Sequence, residues 1–184
     1  MFVLAIFSSL SSISNAQRLP FHSYGIRDGL ADARVTAIYQ DRKGYLWFGT
    51  WEGLSRFDGY SFKNYGLRDG LSNTIINGIT EDRLGNLWVA TNIGGVARLI
   101  DDPNKAPKET PRKRFVSYHI NDEPGSDSVN TLIFDKDNTL WCYKDNGIFR
   151  AATANIETAG LQFEQVVPPQ SNSIDGSGSM LIDS

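Results

Sequence analysis

The sequence predicts an all-β fold, a β-propeller built from four-stranded antiparallel blades. The main observation is a repeat: residues 62–91 match residues 21–50, with a Phe, a Tyr, the tetrapeptide Arg-Asp-Gly-Leu, an Asp-Arg-x-Gly turn and a Leu-Trp pair in the same order. Weaker copies begin at Phe115 and Phe163, and in all four copies the turn Asp lies 20 residues after the Phe. Repeats of about 40–50 residues are typical of propellers and solenoids. No segment after residue 20 shows a helical apolar period.

Each repeat contains candidates for four short strands. In the first full repeat, the β-branched and aromatic segment Val35–Gln40 precedes a turn at 41–44, and Tyr45–Thr50 follows it. Asp at the first turn position and Gly at the fourth favour a type I turn closed by a left-handed residue, which joins antiparallel strands. Third and fourth strands are expected at Leu54–Phe57 and Phe62–Tyr65. Their copies are predicted at Val96–Leu99 and Phe115–Tyr118 in the second repeat, and at Ile148–Arg150 and Phe163–Val166 in the third.

The predicted first strands carry small residues at one register, Ala37, Gly78 and Thr131. Small side chains suit the innermost strand of a blade, because the blades converge at the propeller axis. The Leu46-Trp47 pair and its copies are predicted to pack between blades. Insertions fall between the third and fourth strands, at about 101–114 and 151–160.

The two ends of the sequence predict about three blades plus partial blades at both ends. The chain would then be an unclosed part of a larger propeller of the seven-bladed type. Phe21–Ile26 matches a fourth strand with no first three strands before it, and would complete the last blade of a closed ring. A closed ring has about four to eight blades. The alternative is a short chain that closes by oligomerising.

Residues 1–16 are interpreted as a signal peptide, and the propeller then occupies 17–184. An apolar run at 2–10 precedes small residues at positions 14 and 16, and the run is too short to span a bilayer. The alternative is a disordered or misassigned start.

Composition gives no indication of catalysis or of nucleic-acid binding. The net charge is −3, and the lone Cys142 excludes an internal disulfide. The two histidines, His22 and His119, both lie in fourth-strand copies at the outer edge of a blade. We therefore expect no catalytic residues, no metal site and no cofactor.

The segments from Gly29 to Leu54 and from Gly70 to Val96 resemble the two-component regulator propeller repeat. The third copy departs from the pattern, with Asn138 in place of Gly and Tyr143 in place of Thr. The resemblance implies a large bacterial sensor whose exported, periplasmic propeller receives an extracellular cue. In gut and soil relatives this cue is often a glycan fragment.

The resemblance also implies the partners of the chain. A small molecule or oligosaccharide would bind outside the cytoplasm. The remaining blades and a downstream transmembrane and kinase region would belong to the same longer chain, anchored in the inner membrane. A homodimer is left open.

A candidate binding face follows from propeller geometry. Connections from the fourth strand to the next first strand, and from second to third, emerge on the same rim. Trp51 is the only Trp outside the core register, with Asn92 and Lys144 assigned to its place in the other blades, and an exposed Trp beside charged groups would make a sugar platform. The alternative is that Trp51 packs over blade two. The predicted site, near the central mouth, comprises Arg27, Asp28, Trp51, Glu52, Arg68, Asp69, Asn92, Lys144 and Asp145.

The repeated Arg-Asp-Gly tripeptides within this set also favour a turn role, because Asp-Gly bends the chain into the inner strand. For the whole chain, the sequence favours a ligand-sensing module. A secreted propeller enzyme acting on polysaccharide and a non-catalytic interaction scaffold are the alternatives.

Overall fold

A computed structural model describes residues 21–100, 114–120, 127–152 and 160–167. These residues form three four-stranded antiparallel sheets, each ordered by sequence from one edge to the other. The predicted all-β fold of unclosed propeller blades is confirmed. The predicted signal peptide, most of both insertions and the end of the fourth repeat lie outside the described residues.

The strands lie close to their predicted bounds. Blade one contains β1 (Val35–Gln40), β2 (Leu46–Thr50), β3 (Gly53–Phe57) and β4 (Phe62–Tyr65). Blade two contains β5 (Ile76–Glu81), β6 (Leu87–Thr91), β7 (Val96–Leu99) and β8 (Phe115–Tyr118). Blade three contains β9 (Thr131–Phe134), β10 (Thr139–Lys144), β11 (Gly147–Ala152) and β12 (Glu164–Val167).

The segment Phe21–Ile26 is not a strand, contrary to the prediction. Residues 21–25 have no regular structure, and Ile26 begins the short 3₁₀ helix Ile26–Asp28. A strand needs a paired neighbour, and the described part of the chain provides none here. The Tyr24 ring nevertheless lies 5.9 Å from that of Phe62, much as the Tyr65 ring lies 5.7 Å from Phe115. The contact with the next blade is therefore made without strand pairing.

The strands β1, β5 and β9 are the innermost, since they contact one another across the blades. The small residues predicted there are needed: a Cβ atom on Gly78 would lie 3.0 Å from Leu132. Polar side chains also join neighbouring inner strands. Thr36 Oγ1 donates to the carbonyl of Ile76, and Asn77 Nδ2 donates to the carbonyl of Val129 at 2.9 Å. The predicted inner register is confirmed.

The hydrophobic core lies between blades, as predicted from the Leu-Trp pairs. Trp47 packs in a cluster that joins blades one and two, and Trp88 packs in a second cluster that joins blades two and three. Both indoles are at most 2% exposed. Blades one and two therefore each depend on the next blade for burial of their largest side chain.

The turn Asp of each blade fixes the hairpin between the first two strands. Asp82 Oδ1 accepts hydrogen bonds from the amides of Leu84 and Asn86, and its Oδ2 accepts one from the Trp88 indole at 3.2 Å. Asp41 and Asp135 make the same bonds, with indole distances of 2.8 Å in both blades. One carboxylate thus orders the turn and orients the core Trp.

The strand register corrects one part of the repeat alignment. Lys144 pairs with Gly147 as Thr50 pairs with Gly53, and Tyr143 lies one residue earlier, at the register of Gly49. The assignments of Tyr143 to the Thr position and of Lys144 to the Trp51 position are therefore wrong by one residue. Lys144 replaces the buried Thr of the other blades.

Removing the carboxylate of Asp82 should destabilise the propeller strongly. The variant Asp82→Ala leaves the fully buried Trp88 indole without its acceptor, so we expect a loss of about 3 kcal/mol in the free energy of unfolding. Asp58 is the matched control, because it caps an exposed turn through the amides of Tyr60 and Ser61 and bonds no Trp. Asp58→Ala should cost less than about 1 kcal/mol. Equal losses for both variants in chemical denaturation would contradict a special role for the indole bond.

The indole bond should also be visible in the acid dependence of stability. Burial raises the pKa of the Asp135 carboxyl, but hydrogen bonds from the Trp141 indole and from the turn amides outweigh it, so the pKa lies below the ordinary 3.8. Stability from such a group is present above its unfolded-state pKa and is lost as pH falls through the folded-state pKa.

Trp141→Phe removes one of the bonds that lower this pKa. The stability difference between the natural protein and the variant should therefore be largest at about pH 6 and should shrink below about pH 4. Urea unfolding across this range measures it. A difference that stays constant with pH would show that the bond does not depend on the charge of Asp135.

Candidate functional site

The Arg-Asp-Gly tripeptides form turns. Asp28 Oδ2 accepts a hydrogen bond from the Gly25 amide at 2.8 Å, and Asp69 Oδ2 accepts one from Gly66 at 2.9 Å. Gly29 then adopts a left-handed φ of 103°, which suits only Gly without strain. The turn role predicted from the recurrence of the tripeptide is confirmed.

These turns lie against the outer strand of the next blade rather than beside the central mouth. The carbonyl of Asp69 accepts a hydrogen bond from the Arg114 amide at 2.6 Å, and that of Gly70 accepts one from Ser117 Oγ at 3.1 Å. The carbonyl of Gly29 accepts one from Asn64 Nδ2 at 2.9 Å. Because β4 and β8 are outermost in their sheets, Arg27, Asp28, Arg68 and Asp69 belong to the outer wall.

Trp51 lies at the connection from β2 to β3 and remains 43% exposed. The Arg34 guanidinium lies 4.3 Å from its ring centroid, a cation–π distance. Asp32 holds Arg34 in place, since its Oδ1 lies 2.8 Å from Arg34 Nε and also accepts the Arg34 amide. The same hydrogen bond lowers the pKa of Asp32 from its ordinary value. Trp51 therefore presents a partly exposed aromatic surface with the Arg34 guanidinium over its ring.

The equivalent connections of blades two and three carry different polar groups. The Asn92 amide donates to the carbonyl of Ile75 at 3.0 Å, and Asn92 Oδ1 accepts a hydrogen bond from Ser128 Oγ at 3.3 Å. Asp145 Oδ1 accepts one from Asn130 Nδ2 at 2.6 Å. All three connections thus contact residues at the start of an inner strand. We call this surface the inner rim, and it comprises Asp32, Arg34, Trp51, Glu52, Asn92, Asn130 and Asp145.

Lys144 lies beneath this rim and is buried. Its Nζ is 2.8 Å from Asp127 Oδ1, and both side chains are at most 2% exposed. Asp127 Oδ2 in turn lies 3.0 Å from Nδ1 of the exposed His119 and accepts the Ile120 amide. This cluster joins the outer strand of blade two to the second strand of blade three. Lys144 thus connects two blades instead of facing the solvent at the rim.

The structure therefore divides the predicted site. It brings Trp51, Glu52, Asn92 and Asp145 to the inner rim, buries Lys144, and places the four Arg-Asp residues on the outer wall. Sequence reasoning missed Arg34 and Asp32. The sequence contained one indication of the role of Asp32, which aligns with Asn73 of the next repeat. In the structure, both side chains accept a hydrogen bond from the backbone amide two residues later.

The family described as "Two component regulator propeller" matches residues 29–52 and 70–92. The first two repeats are therefore similar to two-component regulator propeller repeats. The resemblance drawn from the Gly-Leu, Asp-x-x-Gly and Leu-Trp pattern is confirmed.

Relatives of these regulator propeller repeats occur in bacterial signalling proteins. A 63-residue segment is 40% identical to "Histidine kinase P4" of Formosa agariphila, and the match covers 33% of this chain and 5% of that protein. The extracellular domain of the hybrid two-component system BT3049 from B. thetaiotaomicron matches with a TM-score of 0.62 and 25% identity. That match covers 79% of this chain and 20% of the other, so the chain spans about a fifth of its length.

An enzyme shares this fold as well. Virginiamycin B lyase from Staphylococcus aureus matches with a TM-score of 0.57 at 21% identity, over 78% of this chain and 44% of the lyase. A likeness at this identity concerns the fold alone. Among the described residues, no group of three or more His, Cys, Asp or Glu side chains could hold a metal ion. None of the helices there is long and apolar enough to cross a membrane.

Breaking the buried pair beneath the inner rim should destabilise the junction of blades two and three. Lys144→Thr restores the residue type of the other blades but leaves the Asp127 carboxylate buried without its cation, so we expect a loss of about 3–5 kcal/mol in the free energy of unfolding. Adding Asp127→Asn should recover a large part of this loss. Lys136→Thr, on the exposed hairpin turn of the same blade, is the control and should change stability by less than about 0.5 kcal/mol. A neutral Lys144→Thr would show that the pair is dispensable.

Proposed function

We propose that the chain is the exported ligand-sensing part of a bacterial two-component signalling receptor. The observation that carries this proposal is the family match to residues 29–52 and 70–92, supported by the likeness to the extracellular domain of a hybrid two-component system. An extracytoplasmic, periplasmic location fits a domain of this kind. The output is a histidine kinase elsewhere in the protein, in keeping with the kinase relative that shares one segment with this chain.

The inner rim is the surface best suited to receive the cue. Residues in a propeller that build blades recur from copy to copy, whereas this rim differs at equivalent positions: Trp51 in blade one, Asn92 in blade two and Asp145 in blade three. A half-exposed indole offers a stacking surface for the apolar face of a sugar ring, and the neighbouring Arg34, Glu52 and amide groups offer hydrogen bonds to hydroxyl groups. We therefore propose a small molecule or oligosaccharide as the cue.

Binding of the cue can be tested on the full-length protein. A panel of oligosaccharides is screened for compounds that raise the unfolding midpoint, since a ligand that binds only the folded state stabilises it. Calorimetric titration then gives the affinity for each compound that does so. Failure of every compound would argue against an oligosaccharide cue.

Trp51→Ala should weaken binding of such a compound by about tenfold or more, because it removes the stacking surface. Its effect on the unfolding midpoint should be small, since the side chain is only partly buried. Tyr60→Ala is the matched control: Tyr60 is 96% exposed and lies on the β3–β4 turn, at the opposite rim. Arg68→Ala tests the outer wall separately and should leave the affinity unchanged. Unchanged affinity of Trp51→Ala would remove the inner rim from the proposal.

A further inference from the structure

A cleft of about 530 Å³ opens between blades one and two at the rim opposite the inner rim. It lies where the β1–β2 turn of blade one meets that of blade two. Its volume is in the range of sites for small ligands. The side chains that matter for its chemistry are those of Arg42, Lys43, Tyr45, Arg56, Leu84 and Asn86.

The carboxylates that line this cleft are already engaged. Asp41 accepts hydrogen bonds from the turn amides through Oδ1 and from the Trp47 indole through Oδ2. Glu81 Oε2 accepts the Arg42 amide at 3.1 Å and lies 3.6 Å from Arg42 Nε. Arg42 in turn donates to the carbonyl of Arg83 at 2.7 Å. The cations that remain for a ligand are Arg56 and Lys43.

Arg56 is placed for recognition of an anion. Its guanidinium carbon lies 4.4 Å from the Tyr45 ring centroid, so the plane of the side chain is supported from one side. Its Nε is buried and has no hydrogen-bond partner within the described part of the chain. A buried donor without an acceptor is costly, and an acceptor supplied by a ligand would remove that cost.

Blade three has a carboxylate next to the Arg that is equivalent to Arg56, and blade one lacks this carboxylate. Arg150 occupies the register of Arg56, and its cross-strand neighbour Glu164 accepts its Nε and Nη2 at 3.0 and 2.9 Å. In blade one the cross-strand neighbour of Arg56 is Lys63. Like charges directly opposite in a sheet are destabilising. Blade one therefore has a cation where blade three supplies the carboxylate.

We propose that the cleft between blades one and two binds a small organic carboxylate. The planar guanidinium of Arg56 takes up the carboxylate in place of the Glu that blade three provides, because a guanidinium fork matches the two oxygens of a carboxylate. Lys43 adds a point charge, and Asn86 and Tyr45 contact the body of the ligand. This site is separate from the inner rim and goes beyond the proposed function.

The test uses the full-length protein and calorimetric titration, with D-glucuronate as the probe, D-glucose as its neutral counterpart and inorganic sulfate as a non-planar anion. We expect glucuronate to bind and glucose to show no binding. Absence of glucuronate binding would overturn the proposal. Sulfate binding as strong as that of glucuronate would overturn the assignment to carboxylates.

Lys63→Glu is the decisive variant, because it copies the cross-strand pair of blade three into blade one without removing any cleft residue. It should weaken glucuronate binding by about tenfold or more. Arg56→Lys keeps the charge but loses the fork, and should weaken binding by about fivefold or more. Retention of full affinity in either variant contradicts the role of Arg56.

Two controls separate this site from the rest of the molecule. Arg150→Gln removes the equivalent Arg of blade three, which already has its carboxylate, and should leave glucuronate affinity unchanged. Trp51→Ala alters the inner rim and should also leave it unchanged. A loss of glucuronate binding in Trp51→Ala would mean that the probe binds at the inner rim, and would overturn the assignment to the cleft.

Discussion

The hydrogen bond between the turn Asp and the core Trp is the interaction on which each blade depends. In blade one the Asp41 carboxylate accepts the Trp47 indole at 2.8 Å and also accepts two amides of its own turn. A blade on its own is a thin sheet with no interior, so its large apolar side chains must be buried against a neighbour. The carboxylate both closes the hairpin and directs the indole into the gap between blades, where it stacks on Tyr65 with 5.8 Å between ring centroids. Local turn chemistry and long-range packing therefore depend on one side chain.

Because each blade needs the same turn and the same buried Trp, most polar residues that recur in the repeats are structural. Binding residues are therefore to be sought at positions where the copies differ. The Asp of the Arg-Asp-Gly turn occupies the same place in two copies because the chain must bend there. Lys144 differs from the Thr of the other blades, yet it is buried and paired with Asp127, so a difference between copies does not by itself indicate a binding residue. Trp51 and Arg56 satisfy a stricter condition. Trp51 is both different and exposed, and Arg56 keeps the repeat's residue while its cross-strand partner is a cation where blade three has a carboxylate.

Much of the fold could be predicted from the sequence because the repeat is a physical signal of its own. The spacing from Phe to Asp fixes which segments pair, and Gly or Asn at the fourth turn position supplies the left-handed residue, as Asn138 does with a φ of 61°.

The candidate site was less predictable from the sequence than the fold. The position of Lys144 was misassigned because blade three has Lys where the other blades have Thr, and the sequence alignment was therefore shifted by one residue. The strand pairing in the structure fixes the register. The location of the Arg-Asp-Gly turns depended on where they lie along the connection between blades, and Leu67–Asp69 directly follows the outer strand β4. Arg34 was missed because its stacking on Trp51 joins residues that no repeat pattern links.

The two rims of the propeller differ in how a ligand could affect the blades. At the inner rim the polar groups belong to connections within a blade and to the starts of inner strands, as in the bond between Asn130 and Asp145. A ligand there would span the mouth and contact several blades at once. The cleft at the opposite rim lies between only two blades, and Arg42 already bonds Glu81 and Arg83 across it. A ligand bound to Arg56 would therefore act on the packing of one pair of blades. Trp47 is buried in the junction of these two blades, so a ligand in the cleft would contact the same pair of blades that buries this indole.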